Sequence, residues 1–385
     1  MSVLAIILLA IGLAGALLRP GNLPAWALPV GAAVVAVVVR VVDRSQLHDV
    51  LRPLAAPLAF VLVAVPLAAS LDHVGVFDEV AGFAARSRHV VGALWILAFF
   101  VVALLNLDAA VVLLTPLYAR TAELVDIDPV ALVFQPVLLA SLASGVLVVS
   151  NLTNLLAASH LSLDNADFLR HLALPSVVAS GVGWLVYRRV FPMRPQAQPA
   201  PRAVDRRALI VGLGAIALFL VLLLGGEPLG VPAWAAALAT ELVLLSVTRR
   251  VPWRQVPIGT AGLAAALAVL AAGVAGELPH AFTSLGTGGL RGFGAGVVSA
   301  NVLNNLPAVL VGLTHVSAPA RVWPLLLGVN LGPLLLLTGS LAGLLWQAGA
   351  RRAGVEIDAR RYSRVGVVVG VPAMVAAVLV LRILG

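Results

Sequence analysis

The sequence predicts an all-α polytopic membrane protein, built from two halves that share one element order and lie inverted in the bilayer. Of the 385 residues, 61% are hydrophobic and 11% are charged, and the mean hydropathy is +1.06. A soluble chain of this length needs far more polar surface, so most of this chain must face lipid or other helices. Apolar runs of spanning length recur along the chain, and their order repeats.

A spanning helix needs about 20 mostly apolar residues. The run that begins at Ser2 lacks the basic start and small-residue cleavage site of a signal peptide, so we predict a retained helix. The runs at 128–159 and 322–350 exceed one straight crossing, and polar residues divide each into an interrupted helix. The predicted crossings are 2–18, 24–42, 54–71, 128–159, 171–190, 208–225, 232–248, 258–276, 322–350 and 365–384.

Two further apolar stretches, 90–120 and 290–314, carry polar residues at their centres. Asn106-Leu107-Asp108 divides the first and Asn304-Asn305 divides the second. Each arm has about 9 to 16 residues, which is short for a full crossing at about 1.5 Å per residue. We therefore predict two re-entrant hairpins, each of which enters and leaves the membrane on one side.

The order of elements repeats across a linker. Residues 1–190 are predicted to form three helices, a hairpin, an interrupted helix and a last helix, and residues 208–385 repeat that order. The segment 191–207 between them is rich in Pro, Ala and Arg, a composition typical of linkers. Five crossings in each half place the second half upside down, and such inverted repeats are typical of secondary transporters.

Arginine placement favours one orientation in the cytoplasmic membrane. With the 191–207 linker in the cytoplasm, most of the 25 basic residues, all of them arginine, lie on that side. Arg40, Arg44 and Arg52 do not fit this orientation, because they flank a segment assigned to the outside. The arginines lie between apolar runs without a basic, aromatic-rich patch, so no nucleic-acid partner is expected.

Several chemistries are excluded or unsupported by residue type. The chain has no Cys, which excludes disulfides, thiolate metal sites and thiol catalysis. It shows no metal-ligand spacing, catalytic triad or phosphate loop, and the glycines at 286–289 lack the context of such a loop. We therefore expect neither an enzyme nor a cofactor.

Four polar clusters fall inside the apolar stretches, where unsatisfied polar groups are costly. Hairpin tips and unwound helices that meet near the midplane offer free amides and carbonyls to an ion or a small polar solute. The alternative is that these side chains only join helices by hydrogen bonds. The candidate residues are Asn106 and Asp108; Ser150, Asn151, Thr153 and Asn154; Asn301, Asn304 and Asn305; and Thr338, Gly339 and Ser340.

Two acids within apolar stretches carry the coupling hypotheses. Asp108 is the acidic side chain of the clusters, and it either takes part in ion coupling or only caps the second arm of its hairpin. Glu241 lies in the middle of a predicted helix. It either carries a proton or is a buried acid bonded to a neighbouring helix.

Four segments resemble the signature segments of the arsenite efflux (ArsB) family, within the superfamily of ion transporters that includes divalent-anion/sodium symporters. They are LDAAVVLLTP at 107–116, VSNLTNLLAA at 149–158, NNLPAVLVG at 304–312 and NLGPLLLLTGSLAGLLW at 330–346. By position, the residues that match the family motifs are Asp108, Asn151, Asn154, Asn304, Asn305 and Ser340. The family's DLGPK segment here begins with Asn330 and ends with Leu334, so an acid and a lysine are missing.

The resemblance implies export of trivalent arsenic and antimony hydroxides, driven by proton antiport or by a soluble ArsA-type ATPase. Asn, Ser and backbone groups can hold As(OH)3 by weak hydrogen bonds, which suits rapid release. The same oxygens can also coordinate Na⁺. The alternatives are therefore a transporter of the same fold that moves another anion and a Na⁺/H⁺ antiporter.

Overall fold

The computed structural model describes residues 2–18, 23–104, 107–193, 204–226, 230–275, 283–313, 315–316 and 319–384. Throughout these ranges the regular structure is helical and no strand occurs, which confirms the predicted all-α class. Five helical segments are long and apolar enough to cross a membrane, namely Arg44–Val74, Asn165–Val190, Arg206–Leu223, Trp253–Val274 and Ala359–Leu384. The chain is thus a multi-pass membrane protein.

The first half begins with paired helices and ends with a long one. Asn165–Val190 contains a π-helical turn at Leu169–Ala173, where the backbone widens for one turn. The helices are α1 (Ser2–Leu18), α2 (Ala27–Val38), α3 (Arg44–Val74), α4 (Val76–Ala85), α5 (Val90–Leu104), α6 (Leu107–Leu124), α7 (Pro129–Leu142), α8 (Leu152–Leu161) and α9 (Asn165–Val190).

The second half follows the same succession of helices. Its equivalent of the α3–α4 pair is a single helix, α12. The helices are α10 (Arg206–Gly226), α11 (Ala233–Thr248), α12 (Ile258–Ala275), α13 (Gly289–Leu303), α14 (Asn305–Leu313), α15 (Val322–Leu331), α16 (Leu341–Arg352) and α17 (Ala359–Leu384).

Helix α4 is an element that the sequence did not predict. It starts directly after Gly75, whose φ of 88° lies in the left-handed region that favours glycine. Asp78 in its first turn pairs with Arg120 at 3.3 Å. Helix α4 therefore ties the end of α3 to the far end of α6.

Both predicted hairpins fold back on themselves. The Tyr118 hydroxyl, near the end of α6, donates to the backbone oxygen of Leu94, near the start of α5. In the second pair, Gly286 lies so close to His315 that an added Cβ would fall 2.0 Å from the His315 carbonyl oxygen. The arms of each pair therefore run antiparallel, although their re-entrant course in a bilayer stays a prediction.

The two interrupted stretches run in opposite directions through the molecule. Asp128, which caps the start of α7, pairs with Arg361 at 3.8 Å, and Arg352 at the end of α16 donates to the Gln255 carbonyl. At the other end, beyond α8, the His171 ring stacks on Trp323 at the start of α15. The start of α7 and the end of α16 thus share one face.

Packing between the halves is reciprocal. Helix α11 packs against α3 just as α2 packs against α12, and the second hairpin arms do likewise, with α6 against α16 and α14 against α8. The last helices, α9 and α17, pack against each other. These contacts are as expected if a two-fold axis relates the halves, and the inverted repeat itself stays a prediction.

Candidate functional site

The first break separates α7 from α8 and interrupts their α-helical hydrogen bonding. Leu147 is extended, a short 3₁₀ turn covers Val148–Ser150, and Asn151 is extended again before α8 begins. The Asn151 side chain caps α8 by accepting from the Thr153 amide at 3.1 Å. Ser150 exchanges hydrogen bonds with Leu147 across the turn, at 2.9 and 2.7 Å.

Four buried side chains close a hydrogen-bond network at this break. Asn151 Nδ2 and Thr153 Oγ1 both donate to Asn330 Oδ1, at 2.9 and 2.7 Å, and Asn330 Nδ2 donates to Asn154 Oδ1 at 2.8 Å. Asn154 Nδ2 in turn donates to the carbonyls of Ser144 and Leu147. We call Asn151, Thr153, Asn154 and Asn330 the first cluster. Because all four are at most 3% exposed, their polar atoms serve one another in this conformation.

The second break, between α15 and α16, repeats the backbone of the first. Leu336 is extended, a 3₁₀ turn covers Leu337–Gly339, and Ser340 is extended with φ −147° and ψ 159°, against −149° and 141° at Asn151. Ser340 caps α16 by accepting from the Gly343 amide at 3.3 Å. Asn151 and Ser340 therefore occupy equivalent caps.

Polar side chains from the second hairpin reach this break. Asn301 Nδ2 donates to the Gly332 carbonyl at 2.8 Å, and Asn304 Nδ2 donates to the Thr338 carbonyl at 3.0 Å. Asn304 forms the tip with a φ of 80°, which is rare for a side-chain-bearing residue and is held here by tertiary contacts. We call Asn301, Asn304 and Thr338 the second cluster.

The second cluster has acceptor capacity that the protein leaves unused. Within the described residues, Asn301 Oδ1 and Thr338 Oγ1 are buried without a hydrogen-bond partner. A Cβ on Gly339 would lie 3.2 Å from Asn301 Oδ1 and 2.9 Å from Pro333 Cα, so Gly339 packs closely against both and a side chain there would collide. Buried oxygens without partners are costly and need an explanation, such as a bound solute or ion.

Two glycines bring the second hairpin against α15. A Cβ on Gly328 would fall 2.3 Å from the Phe293 carbonyl oxygen, and one on Gly296 would fall 2.8 Å from the Leu325 carbonyl oxygen. The backbones of α13 and α15 are therefore in direct contact. This contact places Asn301 of the second hairpin beside Gly332. Gly332 follows Asn330 of the first cluster by two residues.

A cavity of about 690 Å³ opens on the face that carries Arg352 and Gln255. It lies between α3, α6, α16 and the segment after α11. Arg120 is balanced there by Asp72, Asp78 and Glu123, whereas Arg250 contacts His73. We call this cavity the basic vestibule; its charged lining residues are Asp72, His73, Arg120, Arg250, Arg254 and Arg352.

Asp108 lies one helical turn beyond the vestibule. Val112, Pro116 and Arg120 of α6 line the cavity, and Asp108 precedes Val112 by four residues, about 6 Å along the helix. It stands in the first turn of α6, where an acidic side chain complements the helix dipole.

The remaining predicted site residues lie in different settings. Asn305 is buried in the first turn of α14, next to the second cluster. Asn106 lies outside the described residues. Gly339 packs closely against Pro333 and Asn301, and Ser150 and Ser340 bond within their own breaks.

Asn330 is the residue that our sequence analysis left out of the candidate site. It lies near the end of α15 within the apolar run LLLGVNLGPLLLL, and it is the donor and acceptor that joins the two halves. One signal was available, because an amide within a membrane helix usually pairs across helices.

Residues 1–349 match the model of the citrate transporter (CitMHS) family. The chain belongs to this family. As a citrate transporter family member it is a membrane transporter rather than an enzyme. Its two breaks, which face each other across the halves, are thus the candidate transport site.

Curated relatives of this family member include arsenical pump membrane proteins, in agreement with the resemblance seen in the sequence. The protein of Yersinia enterocolitica is 28% identical over 346 residues, which cover 79% of this chain and 80% of the relative. That of Escherichia coli strain K12 is 27% identical over 391 residues, which cover 91% of each chain. The family and these relatives support a transporter of ions or anionic solutes.

Proposed function

We propose that this chain exports arsenite or antimonite across the cytoplasmic membrane by proton antiport. The observation that carries the proposal is the pair of buried, unused oxygens in the second cluster, Asn301 Oδ1 and Thr338 Oγ1. As(OH)3 is neutral at neutral pH and presents O–H donors, which these acceptors can satisfy without a charged partner. The relatives named as arsenical pumps support the same substrate.

The proposed site combines both breaks and both hairpin tips. The substrate would bind at the second cluster, and the first cluster would join the halves while it is bound. The residues assigned to this site, as proposals, are Asn106, Asp108, Ser150, Asn151, Thr153, Asn154, Asn304, Asn305, Thr338, Gly339 and Ser340, to which we add Asn301 and Asn330.

The proposed mechanism is alternating access by two inverted halves, 1–190 and 208–385, joined by a cytoplasmic linker at 191–207. The antiparallel breaks and the reciprocal helix packing support this arrangement. The basic vestibule would be the cytoplasmic entrance, since arginine favours that side. A soluble ArsA-type ATPase would dock on this face if the pump uses one.

Proton coupling is assigned to Asp108 in this proposal. The carboxyl stands in the first turn of α6, one helical turn beyond the basic vestibule, with which it would exchange a proton. In Asp108→Asn the side chain keeps nearly the same size and can still form hydrogen bonds in the first turn of α6, but it cannot titrate. We expect this variant to exchange arsenite across the membrane without concentrating it.

Transport of another anion is the second candidate, and the vestibule favours it. Arg250, Arg254 and Arg352 line the cavity, and such a surface attracts anions by long-range electrostatics. The family description as citrate transporter points the same way. A Na⁺/H⁺ antiporter would use the same oxygens for Na⁺.

Everted membrane vesicles from a bacterium that lacks arsenic efflux test these proposals. When respiration acidifies the lumen, vesicles with this chain should accumulate arsenite, and a protonophore should release it. The host should also regain growth on arsenite. Accumulation of citrate instead of arsenite would establish the second candidate, and Na⁺ accumulation driven by the pH gradient alone would establish the third.

A further inference from the structure

Glu241 is a buried acid that the proposed site does not use. It lies in the middle of α11, where its side chain is 5% exposed. The Ser70 hydroxyl on α3 donates to Glu241 Oε1 at 2.9 Å. In the part of the chain that the structure describes, Glu241 Oε2 is buried without a hydrogen-bond partner.

Glu241 has no neutralising cation beside it in the described part of the chain. Among the described residues, no basic side chain lies within 4 Å of its carboxyl group. The nearest ionisable groups along α3 already have partners, since Asp72 faces Arg120 at 4.0 Å and His73 contacts Arg250. The ionisable groups on the two helices packed against α11 are Arg44, His48, Asp49, Arg52, Asp72 and His73 on α3, and Arg206 and Arg207 on α10.

An ionised carboxylate in this position would have one neutral hydroxyl as its partner. Burial of a charge without a counter-ion is strongly unfavourable inside a membrane protein. A neutral carboxyl group, with its proton on Oε2 and its Oε1 bonded to Ser70, fits the observed contacts. The geometry thus matches the protonated form.

A short route connects this carboxyl group to water. Ser70 lines the basic vestibule, and so does Thr248, which follows Glu241 by seven residues on the same face of α11. Two helical turns correspond to about 10 Å along the axis. One hydrogen bond, from Ser70, therefore separates Glu241 from the vestibule wall.

We propose that Glu241 and Ser70 form a proton-binding site that is loaded from the basic vestibule. A hydronium ion in the vestibule delivers the proton: one of its O–H bonds breaks, an O–H bond forms at Glu241 Oε2, and a water molecule is left. The site is separate from Asp108, which lies on α6 one helical turn beyond the same cavity. Coupling of this proton to solute movement rests on the proposed function, whereas protonation of Glu241 does not.

Infrared spectroscopy of the reconstituted protein tests the protonated state directly. A protonated carboxyl group gives a carbonyl stretching band that shifts in D₂O, and Glu241→Gln should remove one such band. Glu79→Gln is the matched control: it alters another buried glutamate and should retain the band assigned to Glu241. Ser70→Ala should move the band to higher frequency, because the carbonyl oxygen loses its donor.

Two results would overturn the proton site. If Glu241→Gln left the carboxyl bands unchanged, Glu241 would be ionised. If the carbonyl band stayed at the wild-type frequency in Ser70→Ala, the Ser70 hydroxyl would not be hydrogen-bonded to the protonated carboxyl group. Elution as a sharp single peak in size-exclusion chromatography shows that each variant is folded.

Everted vesicles then test coupling. Glu241→Gln should retain exchange of arsenite at equilibrium. Its accumulation of arsenite driven by the pH gradient should be at least about tenfold lower than that of wild type. Accumulation equal to wild type would overturn the coupling role, and so would a wild-type protein driven by Na⁺ in place of protons. If wild type moved no arsenite at all, the proposed function would fail, while the infrared result would still decide the proton site.

Discussion

The two breaks share one backbone course and differ in how their polar groups are used. In the first cluster, Asn330 joins Asn151, Thr153 and Asn154, and these bonds cross from one half to the other. In the second cluster, Asn301 Oδ1 and Thr338 Oγ1 keep unused acceptors among the described residues. The same unwound geometry therefore has its polar groups paired between the halves at one break, and at the other it leaves acceptors unused, where we propose that the substrate binds.

Replacement of Asn330 should have the largest effect on stability and transport of the variants that compare the two breaks. In Asn330→Ala, two donors and one acceptor of the first cluster lose their partners. Unpaired buried groups cost about 1–3 kcal/mol each in soluble proteins, and interhelical polar pairs average about 0.6 kcal/mol in membranes. We expect about 2–4 kcal/mol of destabilisation and loss of transport, measured by thermal melting in detergent and by vesicle uptake.

Asn330→Asp is the matched control. Its carboxyl oxygens still accept from Asn151 and Thr153, but it presents an oxygen to Asn154 Oδ1 where Asn330 has a donor. An intermediate melting temperature is expected. If Asn330→Ala melted like wild type, the first cluster would not join the halves.

The equivalent caps Asn151 and Ser340 should respond unequally. Loss of a helix N-cap costs about 1 kcal/mol in either case. Asn151→Ala also breaks the bond to Asn330, so its melting temperature should fall further than that of Ser340→Ala. Equal shifts in the two variants would mean that the bond between the halves contributes nothing measurable.

Two threonines separate binding from structure. Thr338→Val removes a buried hydroxyl that has no partner among the described residues, so the substrate-free protein should be as stable as wild type or more stable, by up to about 1–3 kcal/mol. Arsenite uptake should fall about fivefold or more. Thr153→Val removes a donor to Asn330 and should cost about 1 kcal/mol. A Thr338→Val protein with full uptake would exclude the second cluster from the site.

The smallest perturbation tests the hairpin itself. The chain has no native Cys, so single Cys residues can be placed at the exposed positions Arg88 and Glu123 without background labelling. We expect both to react with a membrane-impermeant thiol reagent from the same side, with transport unchanged. Labelling from opposite sides would show that α5 and α6 together span the bilayer.

Much of the architecture could be predicted because the bilayer restricts the choices. Long apolar runs must be helices, and polar groups within them mark breaks, so the hairpin centres and both unwound stretches were visible in the sequence. Helix α4 was missed because it is short and its acidic first turn depends on Arg120, a contact distant in sequence.

The site was harder to predict for a related reason. The sequence shows which side chains are polar, but it does not show which of them satisfy one another. Asn330 stands alone in an apolar run and binds three residues of the other half. Gly339 carries no polar side chain. Its role comes from its close packing against Pro333 and Asn301, which only the structure shows.

The backbone contact between Gly296 and Gly328 is expected to hold the second hairpin and α15 together as one rigid unit. No side chain separates the two main chains there, so the contact has little compliance. If the Asn304 tip moves, we expect Asn330 to move with it and to lose its bonds to Asn151 and Thr153. Opening of the second cluster and loss of the bonds between the halves would then occur together.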